Sequence, residues 1–102
     1  MARRFFVYIL VSRSGYALYT GMTSDLRRRL EQHLMGNTGA HTQKYRHRKL
    51  VWFEEHDTLE QAFLRERRIK RWRRAWKLDL ITKANPDWRD LAMEIPDSTT
   101  AG

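Results

Sequence analysis

The chain contains no cysteine, which excludes disulfide staples, thiol nucleophiles and cysteine-ligated zinc. It also lacks a long apolar run. The stretch "FFVYILV", Phe5–Val11, is seven residues and includes Tyr8, against the roughly 20 apolar residues of a membrane span. Basic residues before it give a superficial likeness to a signal peptide, but no small-residue cleavage site follows, and it reads better as a buried strand. A cytoplasmic protein without a membrane partner is expected. The four histidines lack the i, i+4 helical spacing of a zinc metalloprotease, so zinc is rejected. There is no internal repeat and no second composition regime.

Acid is the other scarcity. Twelve Asp and Glu stand against 20 Lys and Arg, a formal charge of +8 with pI ≈ 10.4. A well-solvated surface is the plain explanation, and a polyanionic partner is the other. Nucleic acid ranks ahead of membrane lipid because no basic amphipathic helix stands apart from the rest of the chain.

What is present suffices for one domain. A chain of 102 residues has no room for a second core, and four Trp, four Tyr and four Phe supply bulky core material. The domain is expected over 1–95, with "PDSTTAG" at 96–102 as a flexible tail. The patterning predicts an antiparallel hairpin of Phe5–Val11 and Ala17–Thr20 joined by "SRSGY". A helix to about Met35 follows, capped by Ser24 or Thr23 with Asp25 in its first turn. The basic loop "GNTGAHTQKYRHRK" leads to a third strand, Leu50–Glu55. Thr58 caps a second helix to about Arg74, and a third runs to about Ala84, ended by Asn85-Pro86. "DWRDLAMEI" reads as a final short turn. The fold class is α+β, a small three-stranded antiparallel sheet flanked by helices.

Two charged groups fall on apolar helix faces. At about 100° per residue, Leu26, Leu30 and Leu34 define the buried stripe of the first helix, and Arg29 and His33 lie beside Leu26. Arg28 points away and Arg27 sits at an edge. A snorkelling arginine and a satisfied, partly buried histidine are the structural reading. In the second helix, Leu59, Ala62, Phe63 and Ile69 form the apolar face, and Glu66 falls in its middle while Glu60 faces solvent. A core-facing carboxylate is costly unless paired or bound to a cation. Lys70, four residues on, is the structural partner. Taken with Arg29 and His33, a phosphate and its metal ion become the better reading. From Leu59 to Lys77 eight basic residues face only two acidic ones. This density reads as a backbone-tracking surface carried by Arg67, Lys70, Arg71 and Arg74, together with Arg27 and, in the loop, Lys44 and Arg46. Trp72 and Trp76, at four-residue spacing, read as core rather than as a base-stacking platform.

These motifs resemble the GIY-YIG nuclease superfamily. "FVYIL" comes first, "YTG" places Tyr19 eleven residues after Tyr8, and Arg29 follows ten residues later. A third strand and a glutamate helix then arrive in that family's order. The likeness is closer to its small stand-alone bacterial members, through "IKRW" and "NPDW", and covers roughly Phe5 to Leu91. The chain departs from the family name at Val7, where the first glycine would stand, and carries Met22 and Thr23 where some relatives place a lysine.

The resemblance implies hydrolysis of phosphodiester bonds; with no helix-turn-helix or finger to read sequence, DNA in single-stranded or branched form is the better fit as substrate, with RNA as the second candidate. It implies one divalent ion, Mg2+ or Mn2+, held by Glu66. Arg29 would clamp the phosphate, and Tyr8 would be the base, its proton loosened by Arg29 or the metal. Tyr19 would orient water or phosphate, and His33 would bond the tyrosine or the phosphate. Gly21 would let the chain pass close beneath the site. His41 has a possible counterpart in some relatives. Two other classes are kept open: a nucleic-acid-binding module that retains the fold without cleavage, and an adaptor using Trp72, Trp76 and Trp88 to hold a protein. Oligomeric state is not legible in the sequence.

Overall fold

The structure, a computed structural model, describes residues 4–12, 15, 17–35 and 49–96. Among them run strand β1 (Phe5–Val11), β2 (Leu18–Thr23), helix α1 (Leu26–Met35), β3 (Lys49–His56), α2 (Leu59–Arg71), α3 (Arg74–Ala84) and a 3-10 turn at Ala92–Glu94. The strands form one antiparallel sheet in the order β2-β1-β3, giving the α+β architecture the patterning predicts. Among the described residues no helix is long and apolar enough to cross a membrane.

β1 is the central strand, and both of its faces are buried, which is why it reads as an unbroken apolar run rather than an alternation. Phe6, Tyr8 and Leu10 join Leu26 and Leu30 of α1, Leu50 of β3 and Ile95 on one face. Val7, Ile9 and Val11 join Val51, Trp52, Ala62, Ile69 and Ile81 on the other, beneath α2 and α3. A bulge in β3 explains its own apolar run: Ile9 pairs with Trp52 but Leu10 with Leu50. The extra residue, Val51, puts two consecutive side chains on the α2–α3 face while Leu50 and Phe53 serve the other.

Several boundaries differ from the sequence expectation. β2 does not stop at Gly21 but pairs through to Thr23, opposite Phe6, because the glycine is a flat ladder position rather than a turn. The cap of α1 is Asp25, whose Oδ1 accepts from the Arg28 N–H at 3.1 Å. Thr23 Oγ1 accepts from the Asp25 N–H at 3.1 Å and sets up that turn. Thr58 caps α2 as expected, accepting from the Gln61 N–H at 3.1 Å. α2 ends at Arg71, and Trp72 and Arg73 are extended residues linking it to α3. Ala62 and Ile69 are buried as expected, whereas Leu59 and Phe63 are exposed.

The segment after α3 is a strap. Buried Asn85 donates through Nδ2 to the carbonyls of Val51 (3.1 Å) and Arg89 (2.9 Å) and accepts the Arg89 N–H on Oδ1 (3.2 Å). Trp88 takes a left-handed backbone, φ 53°, and its indole donates to Thr82 Oγ1 at 3.0 Å. The Leu91 N–H then donates to the Leu50 carbonyl at 2.8 Å, which carries the chain past β3 to bury Ile95 beside α1.

Candidate active site

Tyr8, at the centre of β1, is paired in register with Gly21 of β2. The glycine leaves a hollow that the tyrosine ring fills: a Cβ at position 21 would lie 2.6 Å from Tyr8 Oη, 2.7 Å from its Cζ and 3.1 Å from Tyr19 Cε1. Contacts below 3.0 Å are ones that real side chains do not make, so the close approach expected at Gly21 is present. Tyr19, two residues earlier in β2, projects on the same face, as strand periodicity requires, and its ring centroid is 6.2 Å from that of Tyr8.

α1 crosses this face and delivers two polar groups. Leu26 and Leu30 bury its apolar stripe, and His33, one turn beyond Arg29, is buried with them. His33 Nε2 lies 3.4 Å from Tyr8 Oη, and its ring meets Tyr19 edge-on at 5.2 Å between centroids. Arg29 is half-buried. Its guanidinium acts on both phenols and donates to Gln32 Oε1 at 3.3 Å. The three arginines are sorted as their helical positions require, with Arg27 and Arg28 exposed and Arg29 inward.

Electrostatics within the cluster differ from the simple expectation for a tyrosine base. Burial pushes the Tyr8 phenol up from 10.0 to about 12, outweighing the opposing hydrogen bond and charge of Arg29. Tyr8 is therefore a neutral phenol near neutral pH. The same contact, chiefly the hydrogen bond to Tyr8, holds Arg29 more firmly protonated than an ordinary arginine.

Arg29 also reaches a cavity of about 330 Å³ bounded by Met22, Thr23, Ser24, Asp25, Arg28 and Gln32. It lies at the edge strand β2 and the start of α1, where two guanidinium groups and the positive end of a helix favour an anion. The buried tyrosine cluster and this open, polar cavity thus share one side chain.

Glu66 is placed differently. It stands on α2, whose buried Ala62 and Ile69 pack with Val7, Ile9 and Val11 of β1, and α2 packs on the edge strand β2 as well as on β1 and β3. Its side chain is 14% exposed and its Oε2 lies 3.2 Å from Lys70 Nζ. The carboxylate is thus inward, as its helical position predicts, and holds the lysine partner that the structural reading names. Among the described residues no three His, Cys, Asp or Glu come together as a metal cage. One shielded carboxylate fits a hard ion that takes its other oxygens from water and a phosphate, the habit of Mg2+; it does not fit a closed protein-built site.

The remaining expected nucleic-acid contacts are scattered. Arg67, Lys70, Arg71 and Arg74 are exposed along α2 and the start of α3. Arg27 donates through Nη2 to the Ile95 carbonyl at 3.0 Å, pinning the strap. Lys44, Arg46 and His41 lie outside the described residues. Sequence reasoning overlooked Gln32, which orients Arg29; its one signal was the i, i+3 spacing from that arginine. It also set Trp76 in the core, whereas that indole is 52% exposed.

Comparison with known proteins bears on the chain as a whole. The model of the GIY-YIG catalytic domain matches residues 4–79. A UPF0213 protein of Syntrophus aciditrophicus is 45% identical over 83 residues, covering 80% of this chain and 93% of the relative. A UPF0213 protein of Staphylococcus aureus is 40% identical over 76 residues, covering 74% of this chain and 92% of its own. The solution NMR structure of a UPF0213 protein from Bacillus halodurans superimposes with a TM-score of 0.57 at 28% identity, over 85% of this chain and 92% of that one.

Proposed function

The chain belongs to the GIY-YIG catalytic-domain family, and from that premise we propose that it is a divalent-metal-dependent endonuclease. It hydrolyses phosphodiester bonds in DNA, with preference for single-stranded or branched forms, through one catalytic domain spanning 1–95. The observation that carries this reading is the convergence of Tyr8, Tyr19, Arg29 and His33 over Gly21, at the rim of a cationic cavity.

Each residue has a task that its surroundings support. Arg29 binds the non-bridging phosphate oxygens from the cavity, its planar fork suited to charge that grows in the transition state. Gln32 and the two phenols hold that fork in place. Tyr8, kept neutral by burial, accepts a proton from water only as it passes its own to His33 Nε2, 3.4 Å away. Such bonds commonly shorten when substrate binds. In this arrangement His33 is the proton's destination, in the tautomer that leaves Nε2 unprotonated. Tyr19, half-exposed between the rings and solvent, orients the water or the phosphate. Mg2+ or Mn2+ held at Glu66 would supply Lewis acidity to the phosphate and its leaving oxygen.

One observation favours a second reading. Glu66 already holds Lys70, as a binding module without cleavage would permit. The deciding experiment is cleavage of labelled single-stranded and duplex DNA with Mg2+ or with EDTA, beside Glu66→Ala. Metal-dependent cutting that the variant lacks supports the nuclease. Full-rate cutting by the variant overturns the assignment of Glu66, and tight, salt-sensitive binding with no cutting by either protein favours the binding module.

A further inference from the structure

At the elbow between α2 and α3, on the far side of the sheet from the tyrosine cluster, the indoles of Trp72 and Trp76 stand 6.2 Å apart, centroid to centroid, at 80°. Trp72 is half-buried against the core and held from behind. The Arg65 guanidinium lies 5.5 Å over its ring and 5.9 Å over that of Trp52, fixed by Glu54 at 3.0 Å from Arg65 Nε. Trp76 is 52% exposed and carries Arg73 over its ring at 5.0 Å. Trp72 thus forms a wall between two open hollows. One, of about 350 Å³, is lined by Trp76, Leu80 and Lys83. The other, of about 320 Å³, is lined by Leu64, Arg67 and Arg71.

This is not the surface of a helix kept in solution by its charges. Trp76 is left 52% exposed, Trp72 walls both hollows, and what surrounds them is chiefly guanidinium: Arg67, Arg68, Arg71 and Arg73 are all exposed, and the one acid lining the hollows, Asp79, is occupied by Lys83 at 3.2 Å. We propose that the Trp72–Trp76 elbow is a binding site for unpaired nucleobases of a single strand, with bases seated against the indoles in the two hollows and the intervening phosphates on the surrounding arginines. The ligand must offer flat π-faces and negative charge together. A single-stranded nucleic acid does so, whereas a duplex keeps its base faces stacked on each other. A protein partner would meet the same apolar floor but would need a strongly acidic rim to match these arginines. The site requires no cleavage chemistry and stands or falls apart from the nuclease reading.

The test is binding of a short oligothymidylate in EDTA, followed by quenching of tryptophan fluorescence, with a duplex of equal length and inorganic polyphosphate as competitors. Trp76, being exposed, can be changed with little risk to the core. Trp76→Ala is expected to weaken oligothymidylate binding about tenfold while leaving polyphosphate binding unchanged, and Trp76→Phe is expected to retain most of the affinity. Arg67→Ala with Arg71→Ala is expected to weaken both ligands and flatten the salt dependence. Wild-type oligothymidylate affinity in Trp76→Ala overturns the proposal and leaves the elbow to a protein partner. An equal loss for polyphosphate, or equal competition by duplex, also overturns it, because charge alone would then account for the surface.

Discussion

Gly21 faces Tyr8 across the β1–β2 ladder so closely that a single methyl group on the glycine would sit 2.6 Å from the phenolic oxygen. The ring cannot retreat, because Tyr8 is buried against Leu26 and Leu30 of α1. Gly21→Ala is therefore expected to leave the far-ultraviolet circular dichroism of the protein unchanged but to displace Tyr8 from His33 and Arg29. A displacement near 1 Å at a catalytic group costs about a hundredfold in rate. Full cleavage activity in Gly21→Ala would separate Tyr8 from the reaction.

The burial of Tyr8 has a signature in alkali. Its folded-state pKa, about 12, lies above the ordinary value of 10.0. The unfolded state thus loses this proton first as pH rises, so the stability linked to Tyr8 is fully present below pH 10 and is lost on the way to about 12. Phenolate absorbance in the wild-type protein is expected to include one tyrosine that ionises near pH 12, missing in Tyr8→Phe, and the variant should lose less stability across that interval. If all wild-type tyrosines titrate near pH 10, the phenol is not shielded as described.

Arg29→Lys keeps the positive charge and removes the planar fork that bridges two phenols, Gln32 and the cavity. The lysine variant is expected to bind DNA nearly as well as wild type and to cleave it about 100- to 1000-fold more slowly. A parallel fall in binding and cleavage would mean that Arg29 serves attraction rather than the transition state.

Asn85 carries the strap through three hydrogen bonds to Val51 and Arg89. Asn85→Ala leaves buried backbone groups without them and is expected to cost about 2–3 kcal/mol. For a domain of this size that lowers the melting temperature by roughly 10 °C. Neither Val51 nor Arg89 belongs to the tyrosine cluster, so cleavage well below the transition should be unaffected. An unchanged melting temperature would show that the strap contributes little to folding.

The sequence disclosed what depends on local periodicity. Arg29, His33 and Glu66 could be read as inward because helical rotation places them among leucines or alanine and isoleucine, and "FFVYILV" could be read as buried because no polar residue interrupts it. What it withheld depends on pairing. Nothing local says that β2 continues through Gly21, since a glycine after "LYT" looks like a strand's end until Tyr8 is seen to fill the space above it. Nor does sequence distinguish Trp72, packed on the core, from Trp76, left open: both lie on a helical spacing, and the two extended residues at the elbow break that register. The upward shift of the Tyr8 phenol is not legible locally, because desolvation, which outweighs the neighbouring charge, is a property of the assembled core.

The strap also bears on how the protein is made. Arg27 holds the carbonyl of Ile95, 68 residues further along the chain, and Ile95 closes the core beside Leu26 and Leu30. The helix that carries Arg29 and His33 therefore gains its last contacts only after residue 95 has emerged from the ribosome. A chain cut before residue 95 would keep the three strands and α2 but leave α1 without this anchor. The residues that close the core at its far end are thus also the ones that brace the helix carrying the arginine and the histidine.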